Sequence, residues 1–114
     1  MGKFIINRRA DKQYQFNLKA ENGEIILTSE GYVQKASCIR GIESVRVNSQ
    51  DNLRYYRKVA TNGKSFFILK AGNGQVIGKS QLYSSVPSME NGIKSIKHNA
   101  IIAAIIDETI IIKD

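Results

Sequence analysis

Leu18-Lys19-Ala20-Glu21-Asn22-Gly23 returns 51 positions later as Leu69-Lys70-Ala71-Gly72-Asn73-Gly74. Under that one shift residues 18–48 lie over residues 69–99 without a gap. Thirteen of thirty-one pairs are identical: Leu18, Lys19, Ala20, Asn22, Gly23, Ile26, Ser29, Tyr32, Ser37, Gly41, Ile42, Ser44 and Asn48 each meet their own kind. Unrelated stretches of ordinary composition would share about two. A fixed internal period means that one supersecondary unit has been duplicated, each copy being too short to bury its apolar face without its neighbour. The duplication decides the architecture and leaves the chemistry open.

Working outward from the repeated segment, each copy opens with a strand-like stretch, Lys3 to Arg9 and Arg54 to Val59. A polar turn follows each, and in the second copy it contains Asn62-Gly63, a hairpin signal because both residues tolerate positive φ. Tyr14, Phe16 and Leu18 then alternate with Gln15, Asn17 and Lys19, the period-2 pattern of a strand with one buried face. In the partner strand Phe67 and Leu69 match the buried set, while Phe66 and Ile68 stand where Gln15 and Asn17 stood. Asn22-Gly23 and Asn73-Gly74 turn the chain into third strands, Glu24 to Glu30 and Gln75 to Gln81. After Tyr32 and Tyr83 the period becomes helical: Cys38, Gly41, Ile42 and Val45 in one copy, Met89, Gly92, Ile93 and Ile96 in the other. Ser37 and Ser88 are the expected N-caps. Glycine on both helical stripes predicts a close approach of helix backbone to sheet.

The chain of 114 residues is expected to form one domain, with repeat one over 3–49, repeat two over 54–100 and a C-terminal strand tail over 101–114. The longest apolar run, Ala100 to Ile106, is seven residues, far short of the ~20 that span a bilayer, and no signal-peptide core opens the chain. No membrane association and a cytoplasmic location are the expectation. One cysteine and one histidine exclude an intramolecular disulfide and a structural zinc site, so no metal and no cofactor is expected.

The net charge of +7 is concentrated in the middle. Residues 51–100 hold eight basic and two acidic groups, while the last fourteen hold one and three. Catalytic machinery is not visible. His98 matches Val47, Cys38 matches Met89, and Glu24, Glu30 and Glu43 face Gln75, Gln81 and Lys94, so no acid/base pair is duplicated with the fold. The chain is therefore expected not to be an enzyme. The surface that remains is the open sheet face, with Lys19, Arg54, Arg57, Lys58, Lys64 and Lys70 as candidate anion-binding residues and Phe66 and Ile68 as candidate apolar contacts. Basic groups mixed with aromatics on an open sheet suit nucleic acid, through phosphate contacts and base stacking, or another polyanion such as an acidic protein. The alternative is a structural protein that associates through its isoleucine-rich C-terminal strand, as a homodimer rather than a monomer.

The paired LKAENGEII and LKAGNGQVI segments, each followed by Tyr32 or Tyr83 and then by Ser-x-x-x-Gly-Ile-x-Ser, resemble the YegP-like family of small bacterial proteins, in its tandem-repeat branch. The resemblance covers nearly the whole chain. It implies an α+β fold of two tandem β-β-β-α-β repeats forming one antiparallel sheet with two helices on one face, related by a pseudo-two-fold and exchanging their C-terminal strands. Arg54 to Val59 would then close copy one and open copy two, and the isoleucine tail would close copy two. The resemblance implies no catalytic or binding residue.

Overall fold

The computed structural model describes residues 2–110. Copy one supplies β1 (Lys3–Arg8), β2 (Tyr14–Lys19), β3 (Ile25–Ser29) and α1 (Lys35–Asn48). Copy two supplies β4 (Tyr55–Val59), β5 (Ser65–Lys70), β6 (Val76–Lys79) and α2 (Val86–Asn99), and β7 (Ala104–Asp107) is the last described strand. All seven strands form one sheet in the order β4-β5-β6-β3-β2-β1-β7. Both helices cover one face. The tail predicted as strand over 101–114 is strand only over Ala104–Asp107, and residues 111–114 lie outside the described residues.

The copies meet where β3 and β6 pair antiparallel through Thr28↔Lys79 and Ser29↔Gly78. Thr28 and Lys79 are themselves matched by the 51-residue shift, so the pseudo-two-fold passes between them. At that axis two identical large side chains would collide. Leu27 therefore reaches diagonally over its own matched position, Gly78, where an added Cβ would lie 2.7 Å from the Leu27 Cγ.

The sheet departs from the expected wholly antiparallel arrangement at one edge. β7 runs parallel to β1, with Lys3↔Ala104 through Ile6↔Asp107 in register. β7 runs antiparallel to β6, the strand before α2, and β1 has that same direction through the antiparallel pairs β1/β2, β2/β3 and β3/β6, so β7 meets β1 in parallel. Strand exchange is realised in one direction: copy two's closing strand lies on copy one's opening strand. The residues matched to β7, 53–56, run straight into β4, which keeps a free edge.

Between sheet and helices lie Phe4, Ile6, Phe16, Leu18, Leu27, Phe67 and Leu69, met by Ile42, Val45, Ile93 and Ile96. Burying each such side chain contributes roughly 1.5–3 kcal/mol. Helix starts fall earlier than expected. Gln34 is the N-cap of α1, without a side-chain bond, and Ser85 caps α2, its hydroxyl accepting from the Ser88 N–H at 3.2 Å. Ser37 and Ser88 sit one turn inside, and Pro87 fits the first turn because its missing N–H is unneeded there. Nor does sheet backbone approach the helical glycines. The rings of Tyr32 and Tyr83, stacked on Phe16 and Phe67, fill that space, so that a Cβ at Gly41 or Gly92 would lie 2.4 or 2.2 Å from the phenol oxygen.

Candidate nucleic-acid interface

Alternation along each strand sends Phe4, Phe16, Leu18, Phe67 and Leu69 to the helices and their neighbours to the opposite, open face. Cross-strand register then joins Tyr56, Ile68, Lys79, Thr28, Asn17, Ile5 and Ile106 in one row across all seven strands. The row beside it begins with Lys58 opposite Phe66. Lys3 stands opposite Lys19, a like-charge pair that disfavours the bare sheet and favours any anion laid across it.

The open face of the strands thus carries Lys3, Lys19, Lys58, Lys70 and Lys79. Among the described residues the one strand carboxylate, Asp107, turns to the helices and pairs with Lys35 at 2.8 Å. Two of the lysines lie over aromatic rings: the Lys70 ammonium is 4.4 Å from the Tyr56 centroid, and that of Lys79 is 5.0 Å from the centroid of Phe66. Each ammonium covers the ring face it lies on, so a flat group stacks there only once the lysine has swung aside. Phe66 and Ile68 are half-buried here, with Tyr56 exposed beside them.

Of the residues singled out from sequence, Lys19, Lys58, Lys70, Phe66 and Ile68 gather on this face. Arg57 does not: it points to the helix side, where its Nε and Nη2 donate to the Glu90 carboxylate at 2.6 and 3.0 Å. That hydrogen bond holds Glu90 below its usual range. Arg54, at the end of a 3-10 turn, pairs with Asp51 at 3.5 Å and lies against Gly72. Lys64 sits in the β4–β5 turn, away from the row. Sequence reading missed Lys79, Lys3 and Tyr56. Lys79 ends a four-residue strand containing Gly78, too short to show a facing, and the adjacent Tyr55-Tyr56 reads either way. Counting back from Asn62-Gly63 across the hairpin resolves it: Tyr55 opposes buried Leu69, with its hydroxyl donating to the Ser49 carbonyl at 2.8 Å.

The remaining reactive groups are placed elsewhere. Cys38 is buried, and burial pushes its thiol up to about 11, which makes it a poor nucleophile. His98 is exposed, 3.9 Å from Glu21. Among the described residues no group of three His, Cys, Asp or Glu is placed to hold a metal, and no helix is long and apolar enough to cross a membrane.

The sequence pattern described as Domain of unknown function (DUF1508) matches twice, over residues 10–55 and 60–107. This chain belongs to the DUF1508 family. UPF0339 protein YegP of Escherichia coli K12 is similar at 49% identity over 108 residues, covering 95% of this chain and 98% of that protein. A UPF0339 protein of Acinetobacter baylyi is 54% identical, covering 95% and 97%. The solution NMR structure of YegP from E. coli, a protein of unknown function, matches with a TM-score of 0.90 at 48% identity over 94% of this chain and 92% of that one. The solution NMR structure of a UPF0339 protein from Shewanella oneidensis matches with a TM-score of 0.88 at 47% identity, covering 93% and 90%. The first DUF1508 match takes in β2, β3 and α1 and the second β5, β6, α2 and β7, and these relatives and structures carry no enzymatic name.

Proposed function

We propose that this DUF1508 protein is a binding module whose open sheet face takes single-stranded nucleic acid. The observation that carries the reading is the pair of lysine-over-aromatic contacts on a face whose described strand residues include no carboxylate, Glu30 standing just beyond β3 at its margin. Lys58, Lys70 and Lys79 neutralise phosphates, while Tyr56 and Phe66 offer ring faces on which bases of any sequence stack. Lys3 and Lys19 extend the charge toward β1. A duplex presents its bases edge-on within grooves and cannot use the ring faces.

The test is a titration against labelled single-stranded DNA, single-stranded RNA and duplex DNA at roughly 50 and 200 mM salt. Micromolar single-strand binding that weakens steeply with salt is expected. Replacing Lys58, Lys70 and Lys79 by alanine removes three phosphate contacts, and at ~0.7 per contact the slope of log affinity against log salt falls by about 2. Tyr56→Ala with Phe66→Ala weakens binding and leaves the slope in place. Arg57→Ala, already committed to Glu90, serves as the control. Absence of binding at the lower salt, or a triple variant that binds as before, overturns the proposal.

A second reading, self-association through the C-terminal strand, draws on one observation. Ile101, Ile102, Ile105, Ile106 and Ile110 are exposed on and around the outer edge of β7, which no described strand pairs. An unpaired apolar edge is a template for another strand.

A further inference from the structure

Two clefts of about 580 Å³ each open between the helices and the sheet. One lies between α1 and the β5–β6 turn, the other between α2 and the β2–β3 turn, so each is built from both copies. Their volume is in the range of small-molecule sites. Six of the thirteen internal identities line both clefts: Tyr32/Tyr83, Ser37/Ser88, Gly41/Gly92 and Ser44/Ser95 on the helix side, Ala20/Ala71 and Ile26/Ile77 on the sheet side. Other identities have evident structural work. Leu18 and Ile42 pack the core, the Asn-Gly pairs make turns, and Ser29 and Ser80 accept the N–H of Phe16 and Phe67 at 2.9 Å.

The hydroxyls of the first cleft are spent only as acceptors. Ser37 Oγ accepts from Arg40 Nη2 at 3.0 Å, and Ser44 Oγ accepts from Asn48 Nδ2 at 3.2 Å. Among the described residues neither serine donates its own proton, and the Tyr32 hydroxyl makes no hydrogen bond. With the Arg40 guanidinium this wall is a set of donors awaiting an acceptor. Opposite it stand Ala71, Val76 and Ile77, an apolar wall. The second cleft keeps the hydroxyls: Ser88 Oγ accepts from Ser85, Ser95 Oγ accepts from Asn99, and Tyr83 Oη is buried without a hydrogen bond of acceptable geometry. Its charge differs: Asn91 replaces Arg40, Glu24 replaces Gln75, and Lys64 joins the lining, so the second cleft is balanced where the first is positive.

We infer that the cleft between α1 and the β5–β6 turn binds a small organic carboxylate with an apolar body. The carboxylate oxygens accept from Arg40 and the free hydroxyl protons, and the body lies on Ala71, Val76 and Ile77. The second cleft retains the shape and hydroxyls of the first but, with Glu24 offsetting Lys64 and Asn91 in place of Arg40, has no net positive charge to hold an anion.

The probe is benzoate, added to the full 15N-labelled chain and followed by amide shifts, with benzyl alcohol and benzylamine as neutral and cationic analogues. Benzoate is expected to saturate in the millimolar range, as weak fragments do, moving amides of residues 32–44 and 71–77 and leaving those of residues 83–95 in place. Arg40→Gln, at an exposed position, is expected to weaken benzoate about tenfold through loss of a charge-assisted bond while the rest of the spectrum is unchanged. Shifts scattered away from the cleft, equal effects of benzoate and benzyl alcohol, equal response of both clefts, or an Arg40→Gln chain that binds as before would each overturn the inference.

Discussion

Lys12 and Gly63 occupy the same position in the two copies, the left-handed residue of the first hairpin turn, at φ of 69° and 83°. In both turns the preceding side chain, Asp11 or Asn62, accepts the N–H two residues on at 3.0 Å. The turn is therefore the same and only the residue at positive φ differs. A side chain there costs roughly 1–2 kcal/mol, partly offset because glycine has more chain entropy to lose. Lys12→Gly is expected to stabilise the chain by about 0.5–1 kcal/mol and Gly63→Lys to destabilise it by a similar amount, both read from urea unfolding midpoints. An unchanged midpoint in both variants would refute the strain. Asn22-Gly23, Asn62-Gly63 and Asn73-Gly74 were legible as turns because their chemistry is local. The tyrosine–glycine fit was not. It joins residues nine apart through a ring whose direction depends on Phe16 and Phe67, which no periodicity records.

Among the elements, the strands and helices of the two repeats followed from period and turn chemistry, whereas the direction of β7 did not. Isoleucine content says strand, but not which edge receives it. What fixes β7 is a set of contacts from α1 that are distant in sequence. Arg46 donates to the carbonyls of Ala100 and Ala103 at 2.7 and 2.9 Å, and Lys35 pairs with Asp107. Burial pushes the Asp107 carboxyl up, but hydrogen bonds from Lys35 and Thr109 outweigh it and hold the group below its ordinary 3.8. A carboxylate lowered by folding contributes its full stability above its unfolded value, and that contribution is lost as pH falls through the folded one. Asp107→Asn is therefore expected to be less stable than the parent at pH 7, with the gap closing on acidification below about pH 4. Urea midpoints at several pH values test this, and a gap that does not narrow as pH falls below 3.8 would show that the ion pair does not hold the strand. The outer edge of β7 yields a second expectation. If the chain self-associates there, Ile106→Lys gives a monomer by light scattering, because a charge on an edge strand blocks further pairing. A parent that is already monomeric removes that mode of association.

At the scale of the molecule, the question is whether two copies make one folding unit. They share two strand pairings, Lys3↔Ala104 through Ile6↔Asp107 at the β1 edge and only Thr28↔Lys79 and Ser29↔Gly78 at the axis, so the sheet joins them weakly at its centre. Leu27 supplies the stronger link. It is fully buried on copy one and occupies the space left by Gly78 of copy two, at the one place where symmetry forbids both positions to be large. Gly78→Ala is expected to cost about 1–3 kcal/mol by overpacking, and Leu27→Ala about 2–5 kcal/mol by emptying the axis. Because the axis relates the two sites, exchanging them, Leu27→Gly with Gly78→Leu, returns one large and one absent side chain to the same space. The exchanged chain is expected to be more stable than Leu27→Gly alone, a coupling that independent units would not show. In all of these variants urea unfolding followed by tyrosine fluorescence and by amide signals from each copy should give one coincident transition. Separate midpoints for the two copies would mean that the repeats fold as neighbours rather than as a single core.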